Sequence, residues 1–495
     1  MSVVLSDATY SLPSGWYWST IGEVADVIGG GTPRTDDPAN FENGDIPWIT
    51  PADLSGYTEK YISQGARFIT IKGLESSSAR LLPAGTVLFT SRAPIGYVAI
   101  ARNPVATNQG FKSFILKPGL LSEYVFWWLK GSKQRAERLA SGTTFLELSG
   151  ANAKKIPIPI APLKQQTEIV AEIEKQFSRL DQAVASLQRV KAQLKRYKAS
   201  VLKAAVEGRL VETEAERARR EGRGFETGAE LAAQGSANAA GSRKPGAALH
   251  HETGEQLLKR ILETRRSQWK GKGKYKEPAA PETSSLPELP EGWCWSSTDQ
   301  LAEVGTGATP NRSNATFFDG GDIPWVTSAV VNAPFVDKAS ELVTRAALLQ
   351  TNLTEYPPGT LLVAMYGEGK TRGKCSELRI TAATNQALAA VQADPSVRSY
   401  LKIFLEHNYE ETRKVASGGV QPNLNLSLVR AIRVPLPPLP EQHRIVAEVD
   451  RRLSIVREVE AEVDANLRRA ERLRQSVLAA AFSGRLTGNA AVAVA

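Results

Sequence analysis

The four histidines of this 495-residue chain, His250, His251, His407 and His443, are its natural metal ligands and proton carriers. None stands in a ligand spacing such as HExxH. Cys294 and Cys375 lie too far apart to make a CxxC zinc or redox pair. No GxSxG exists to seat a serine nucleophile. The nearest approach to a nucleotide site is AMYGEGKT, Ala364–Thr371, which departs from the P-loop pattern only in Ala364 for the first glycine. A working P-loop feeds a helix whose N-terminus holds phosphate, whereas the following RGKCSELRITAATNQ reads as turn and strand. No catalytic constellation stands out, and Arg, Lys, Asn, Gln and Ser side chains in polar loops are candidates for binding.

The elements that must carry those loops are written twice. LPSGWYWS at Leu12–Ser19 returns as LPEGWCWS at Leu289–Ser296, and GDIPW at Gly44–Trp48 returns at Gly321–Trp325. ATNQ at Ala106–Gln109 returns at Ala383–Gln386, and EIVAEI from Glu168 as RIVAEV from Arg444. SVLKAAVEGRL from Ser200 is echoed by SVLAAAFSGRL from Ser476. The offset is almost constant throughout, so the chain is a tandem duplication.

Each repeat opens with short apolar runs between Gly and Pro, such as GDIPWIT and PAGTVLFTSR, interrupted by helical stretches. This predicts a mixed α/β fold: two tandem α/β domains, each followed by a long helix. In the first helix Val170, Ile173, Phe177, Leu180, Val184, Leu187, Leu194 and Val201 step by threes and fours. In the second, Val446, Val449, Leu453, Val456, Val463, Leu467, Ala470 and Val477 do the same. That alternation is a coiled-coil seam. Leu163–Val206 as one helix would be on the order of 65 Å long. Gly208 and Gly484 stand where helices end. A parallel, in-register pair would set Lys198 against Arg474 in an apolar seam, so the sequence favours an antiparallel coiled coil. The expected boundaries are 1–160 and 289–436 for the α/β domains, 161–210 and 437–486 for the helices, and 487–495 for a disordered tail.

Between the repeats lies an insert, 211–288, with Ala/Gly/Ser-rich stretches that read as flexible. Within it Leu257, Leu258, Ile261 and Leu262 mark a short amphipathic helix. Trp269 and Tyr275 interleave with lysines, which leaves open a solvated charged face or contact with a nucleic-acid backbone. Over the whole chain Lys and Arg number 61 against 52 Asp and Glu, a net charge of +9 that suits a polyanionic partner. No run approaches the ~20 apolar residues of a membrane span, and the opening residues carry no signal-peptide pattern. The expectation is a soluble, reduced, cytoplasmic protein with no membrane partner.

Taken together, the twin LPxGW openings, twin GDIPW, twin ATNQ, twin PLxxQxxIVAEI/V helix starts at Pro162 and Pro438, and twin GRL closings resemble the specificity (S) subunits of type I restriction–modification systems. The likeness covers nearly the whole chain. It implies that each α/β domain is a target recognition domain reading one half of a split double-stranded DNA sequence, with the coiled coil setting the spacing. It also implies two methyltransferase (M) subunits and restriction (R) subunits as partners. Chemistry would then be absent from this chain, with no cofactor of its own, and S-adenosylmethionine, ATP and Mg would belong to the partners. Two other classes stay open: a coiled-coil scaffold that binds protein alone, and a nucleotide-dependent enzyme built on Ala364–Thr371.

The repeats differ most in their presumed reading loops. TSRAPIG at Thr90–Gly96 answers the longer AMYGEGKTRG at Ala364–Gly373, and SGTTFLELSG at Ser141–Gly150 answers SGGVQPNLNL at Ser417–Leu426. Different loops on one framework predict an asymmetric target. Arg pairs bidentately with guanine, Asn and Gln pair with adenine, and Lys or Thr anchors phosphate. The expected contacts are Arg34, Ser91, Arg92, Asn108 and Gln109 in the first repeat. In the second they are Arg312, Lys370, Arg372, Lys374, Asn385 and Gln386. Because ATNQ occurs in both repeats, its Asn and Gln read equally as framework turns. Trp48 and Trp325, in shared motifs, are expected in the core.

Overall fold

The computed structural model describes residues 10–142, 146–222, 252–270, 273–366, 371–409 and 424–486. The chain divides into two compact units, one comprising Met1–Val190 with Glu462–Ala495 and the other Lys191–Ala461.

The first unit holds a five-stranded sheet in the order Ala25–Gly29, Lys112–Leu116, Val87–Phe89, Val98–Ala101, Tyr61–Ile62. A three-stranded sheet sets Ile46–Ile49 between Arg67–Ile69, antiparallel, and Ala106–Thr107, parallel. A two-stranded ribbon joins Tyr17–Thr20 to Pro157–Ile160. The prolines of PIPI are tolerated because that strand pairs on one side only. Its carbonyls on Pro157 and Pro159 accept from Trp128 Nε1 and the Tyr124 hydroxyl, both at 2.8 Å.

The second unit repeats this plan. Its five-stranded sheet runs Ala302–Thr306, Leu388–Ala393, Leu361–Ala364, Cys375–Leu378, Phe335–Val336. Its smaller sheet gains a fourth strand, Glu355–Tyr356, and its ribbon pairs Cys294–Ser297 with Arg433–Leu436.

Two helices of 44 residues each, Leu163–Val206 and Leu439–Phe482, follow the α/β parts. Each is started by the glutamine of PLxxQ, which works as a buried staple. Gln166 accepts from the Leu121 N–H at 3.0 Å and donates to the Gly119 and Ala161 carbonyls, and Gln442 donates to the Pro437 carbonyl at 2.8 Å. Each is ended as the glycines predict. Gly208 and Gly484 take φ of 65° and 74°, and the next N–H, of Arg209 or Arg485, closes back on the Ala204 or Ala480 carbonyl at 2.9 Å.

Packing inside each unit is antiparallel. In the first unit Ile169, Ile173 and Phe177 share a core with Leu478, Ala481 and Phe482 of the other helix, while Asp181 is bonded to Arg474. In the second unit Val201, Leu202, Ala205 and Val206 share a core with Ile445, Val449 and Leu453. The compact units therefore cut both helices near mid-length, whereas the sequence boundaries set whole helices apart from the α/β domains. The reason is that the helix ends belong to the domain cores.

Most of the expected seam is covered: Ile173, Phe177, Val201, Val449, Leu453, Val456, Val463 and Ala470 are buried, and the other eight positions half-buried. Ile169 and Ile445 are more deeply buried than their seam neighbours Val170 and Val446, because the first turns lie on the α/β core.

The insert is in part a piece of the second unit. Helix Gly254–Ser267, capped by Thr253 and Gln256, places Leu257 and Ile261 in the core at full burial. Gly254 fits there because a Cβ would meet the Leu436 carbonyl at 2.2 Å. The expected flexible stretch within 223–251 and the tail at 487–495 lie outside the described residues. Helix Glu214–Arg220 starts on Glu441, whose Oε2 accepts the Glu214 N–H at 3.0 Å while Oε1 accepts Trp293 Nε1 at 3.0 Å. Burial pushes the Glu441 carboxyl up to about 7, against the opposing pull of those two donors and of Arg444.

Two outcomes follow. Ile261→Ala should lower the unfolding free energy by about 2–5 kcal/mol in denaturant titrations, a cavity cost that a detached linker would not incur. Glu441 binds its proton more tightly folded than unfolded, so its contribution is complete below the ordinary value of 4.5 and is lost as pH rises toward 7. The full loss is on the order of 3 kcal/mol. Melting temperatures should therefore fall over that window in the native chain, and Glu441→Gln should flatten the profile. Parallel profiles would refute this.

Candidate nucleic-acid interface

In the first unit the loop Gly30–Arg34 is laid against the turn Thr107–Gly110. A Cβ on Gly30 would meet the Asn108 carbonyl at 2.0 Å, and one on Gly31 the Ala79 nitrogen at 2.2 Å, so only glycine fits at either. Trp48 Nε1 donates to the Gly31 carbonyl at 3.0 Å, and Thr32 Oγ1 donates to Gln109 Oε1. Asn108 Oδ1 accepts from the Gly110 N–H at 2.9 Å. The second unit repeats each link. Trp325 Nε1 reaches the Ala308 carbonyl at 3.2 Å, Thr309 Oγ1 reaches Gln386 Oε1 at 2.5 Å, and Asn385 Oδ1 accepts from the Ala387 N–H at 3.2 Å. Asn108 and Asn385 are therefore turn-formers, and Gln109 and Gln386 each have one oxygen tied inward. Trp48 and Trp325, at 2% and 1% exposure, are core residues as expected.

The divergent loops lie next to this framework. Ser91 is buried, with its N–H on the Gly110 carbonyl at 2.7 Å and its carbonyl taking the Leu148 N–H at 2.9 Å, while its hydroxyl has no partner among the described residues. Half-buried Arg92 faces Glu147 at 3.5 Å. Burial pushes the Lys112 ammonium down, Glu147 opposing and Arg92 adding to the shift, so two cations share one acid there. In the second unit Lys374 Nζ donates to Asn332 Oδ1 at 2.7 Å, and Arg372 has a buried Nε without a partner among the described residues. Lys370 lies outside the described residues, as does most of Ser417–Leu426. Arg34 is exposed and bonded to Asp36, and Arg312 is held by both carboxylate oxygens of Glu341 at 2.9 and 3.1 Å.

One residue escaped the sequence reading. Arg67, exposed on strand Arg67–Ile69, sits opposite Trp48 across the sheet, with its guanidinium 4.4 Å from the Phe41 ring centre and 5.2 Å from that of Trp48. In the second unit Arg312 lies 5.9 Å from Phe318 and 5.4 Å from Trp325. Only the cross-strand register brings Arg67 to the rings, and no sequence spacing announces it.

Among the described residues no group of three or more His, Cys, Asp and Glu could hold a metal. No described helix is long and apolar enough to cross a membrane. The segments flanking the P-loop-like stretch are the antiparallel strands Leu361–Ala364 and Cys375–Leu378, so a strand rather than a phosphate-holding helix follows it.

Two copies of one framework, each presenting its own polar loops, make this a duplicated recognition protein. The family model for the type I restriction modification DNA specificity domain matches residues 13–196 and 290–463, and the chain belongs to that family. A type I restriction enzyme MjaIX specificity subunit from Methanocaldococcus jannaschii is 46% identical over 161 residues, covering 32% of this chain and 37% of that subunit. The EcoR124I/EcoR124II specificity subunit of Escherichia coli is 29% identical over 34% of this chain and 42% of its own length. The matched segments thus span less than half of these relatives. The Escherichia coli EcoDI specificity subunit is 22% identical over 95% of this chain and 89% of its own. A solved chain described under complex assembly and conformational transition of the type I R-M system shares the fold, with a TM-score of 0.63 at 18% identity, over 96% of this chain and all of that one.

The turn geometry carries its own test. Asn108→Ala and Asn385→Ala should each cost about 1 kcal/mol of stability through loss of the side-chain-to-backbone bond, and Asn→Asp should recover most of it. Unchanged thermal melting of both alanine variants would instead leave these side chains free for a ligand.

Proposed function

We propose that the chain is the DNA sequence-recognition subunit of a type I restriction–modification complex, binding an asymmetric, bipartite double-stranded target. The observation that carries this is the shared framework with divergent loops: both units make the same Trp–carbonyl, Thr–Gln and Asn-turn links. The loops Thr90–Gly96 and Ala364–Gly373 differ in length and in which charged residues they carry. Residues consumed by framework bonds have few donors left for bases. Ser91, Arg92, Lys370, Arg372 and Lys374, in loops that differ between the repeats, are the proposed contacts, with Arg34 beside the glycine loop; Arg92, Lys374 and Arg34 would exchange their present partners Glu147, Asn332 and Asp36 for DNA.

A guanidinium that reaches the major groove can grip the two acceptors of a guanine edge, and lysines neutralise phosphate. Two such readers in one chain specify two short tracts and leave the bases between them unread. Methyl transfer requires the target base to be extruded into an active site, which this proposal assigns to two M subunits carrying S-adenosylmethionine. Cleavage is assigned to R subunits with ATP and Mg. Such a complex acts on DNA in the cytoplasm.

The purified chain should transfer no methyl groups and cut no DNA. With M subunits added, methylation mapping should return one asymmetric bipartite site. Arg92→Ala and Arg372→Ala should each relax one position in separate halves, at about 1–3 kcal/mol per lost bidentate contact. Methyl transfer by the chain alone, or methylation without sequence preference once M subunits are present, would overturn the proposal.

A further inference from the structure

The cation on the aromatic shelf of the first unit has its donors unspent. Arg34 gives its guanidinium to Asp36, Arg92 faces Glu147, and Arg312 is gripped by Glu341. The Arg67 guanidinium makes no hydrogen bond or ion pair to any described residue, although it is held in place. Its guanidinium rests over Phe41 and Trp48, at 4.4 and 5.2 Å from the ring centres. Trp48 is itself fixed by its bond to the Gly31 carbonyl. The strand under Arg67 is fixed as well, because Asp53 Oδ1 accepts the Ala66 N–H at 2.8 Å.

A stacked guanidinium keeps the N–H groups in its own plane while losing most of its rotational freedom. Less entropy is then lost when the fork closes on a pair of acceptors. A bare, ordered, exposed cation beside the Gly30–Arg34 loop is a site prepared for an anionic or acceptor-rich surface.

The second unit supplies the contrast. In the sheet register Trp48 faces Arg67, and the equivalent Trp325 faces Glu341. The same framework position is positive in one repeat and negative in the other. The negative one is closed off by Arg312, which lies over the shelf from the other side of the sequence. A position that changes sign on a shared aromatic shelf behaves as the divergent loops do.

We infer that Arg67 is a DNA contact of the first unit, closing its guanidinium fork on a pair of acceptor atoms, either the O6 and N7 of a guanine or two oxygens of a backbone phosphate. The inference rests on the DNA-reading function proposed above. It makes the strand after the GDIPW motif a reading element beside the loops.

The test uses the full chain assembled with its methyltransferase subunits, on duplexes carrying the mapped target and single-base variants. Arg67→Lys keeps the charge and the stem over the rings, while Arg67→Ala removes both. If the acceptor is guanine, Arg67→Lys should weaken binding to the native site by about 10- to 100-fold and relax one base pair in the half read by the first unit. If it is phosphate, Arg67→Lys should bind nearly as well as the native chain. Arg67→Ala should then weaken binding to all sequences alike and lower the salt slope by about one. Either result supports the contact. Native affinity and an unchanged target in both variants would overturn it while leaving the wider function standing. A native complex that shows no sequence preference would overturn the function itself, and this inference with it.

Discussion

Each compact unit depends on apolar helix turns that arrive from the other repeat. In the first unit Phe482 packs its ring at 5.0 Å from Tyr124 and 5.1 Å from Trp128, with Leu478 and Ala481 in the same core. In the second, Leu202, Ala205 and Val206 fill the matching place beside Trp293 and Tyr400. Burying large apolar side chains is worth about 1.5–3 kcal/mol each, so a unit stripped of these turns would lose a substantial part of its stability. The long helices must therefore pair antiparallel within each unit, and each must stop on a left-handed glycine so that GRL can turn away. Gly208 abuts Pro290 and Gly484 abuts Pro13, which puts each helix end against a repeat's opening LPxGW segment.

With the helix ends fixed, the framework can hold loops that need not resemble one another. The shared motifs are spent internally. The GDIPW tryptophan ties the glycine loop through its indole, the ATNQ asparagine shapes its own turn, and the PLxxQ glutamine is a buried staple. A side chain with its donors and acceptors committed to its own fold has little left for a base edge. The residues common to both repeats are scaffold, and what distinguishes one unit from the other lies in loops and in strand positions open to solvent.

Much of this was legible in the sequence. The duplication, the helix ends at Val206 and Phe482, the seam and the strand after the P-loop-like stretch all follow from spacing and turn chemistry. The insert was only half legible. The amphipathic pattern at Leu257 and Ile261 announces a helix but not the surface that receives it, which is made by strands distant in sequence. Ile169 and Ile445 were passed over because a heptad seam describes helix against helix, and those first turns lie on an α/β core instead. Arg67 could not be found at all, since its neighbours Phe41 and Trp48 meet it only through cross-strand register.

The shelf also shows how a duplicated framework can diverge without breaking. Placing Glu341 where the first repeat has Arg67 would leave a carboxylate facing the negative faces of Trp325 and Phe318, an unfavourable arrangement by itself. The second repeat has Arg312 where the first has Thr35, and that arginine answers the acid with two hydrogen bonds while covering both rings. Both shelves are thus capped by a guanidinium, yet in the first unit it has no charged partner among the described residues and in the second it is neutralised. The packing requirement, an arginine over the tryptophan, is met twice, while the charge presented outward differs between the units. A substitution pair of this kind can leave the fold untouched and alter what the surface binds.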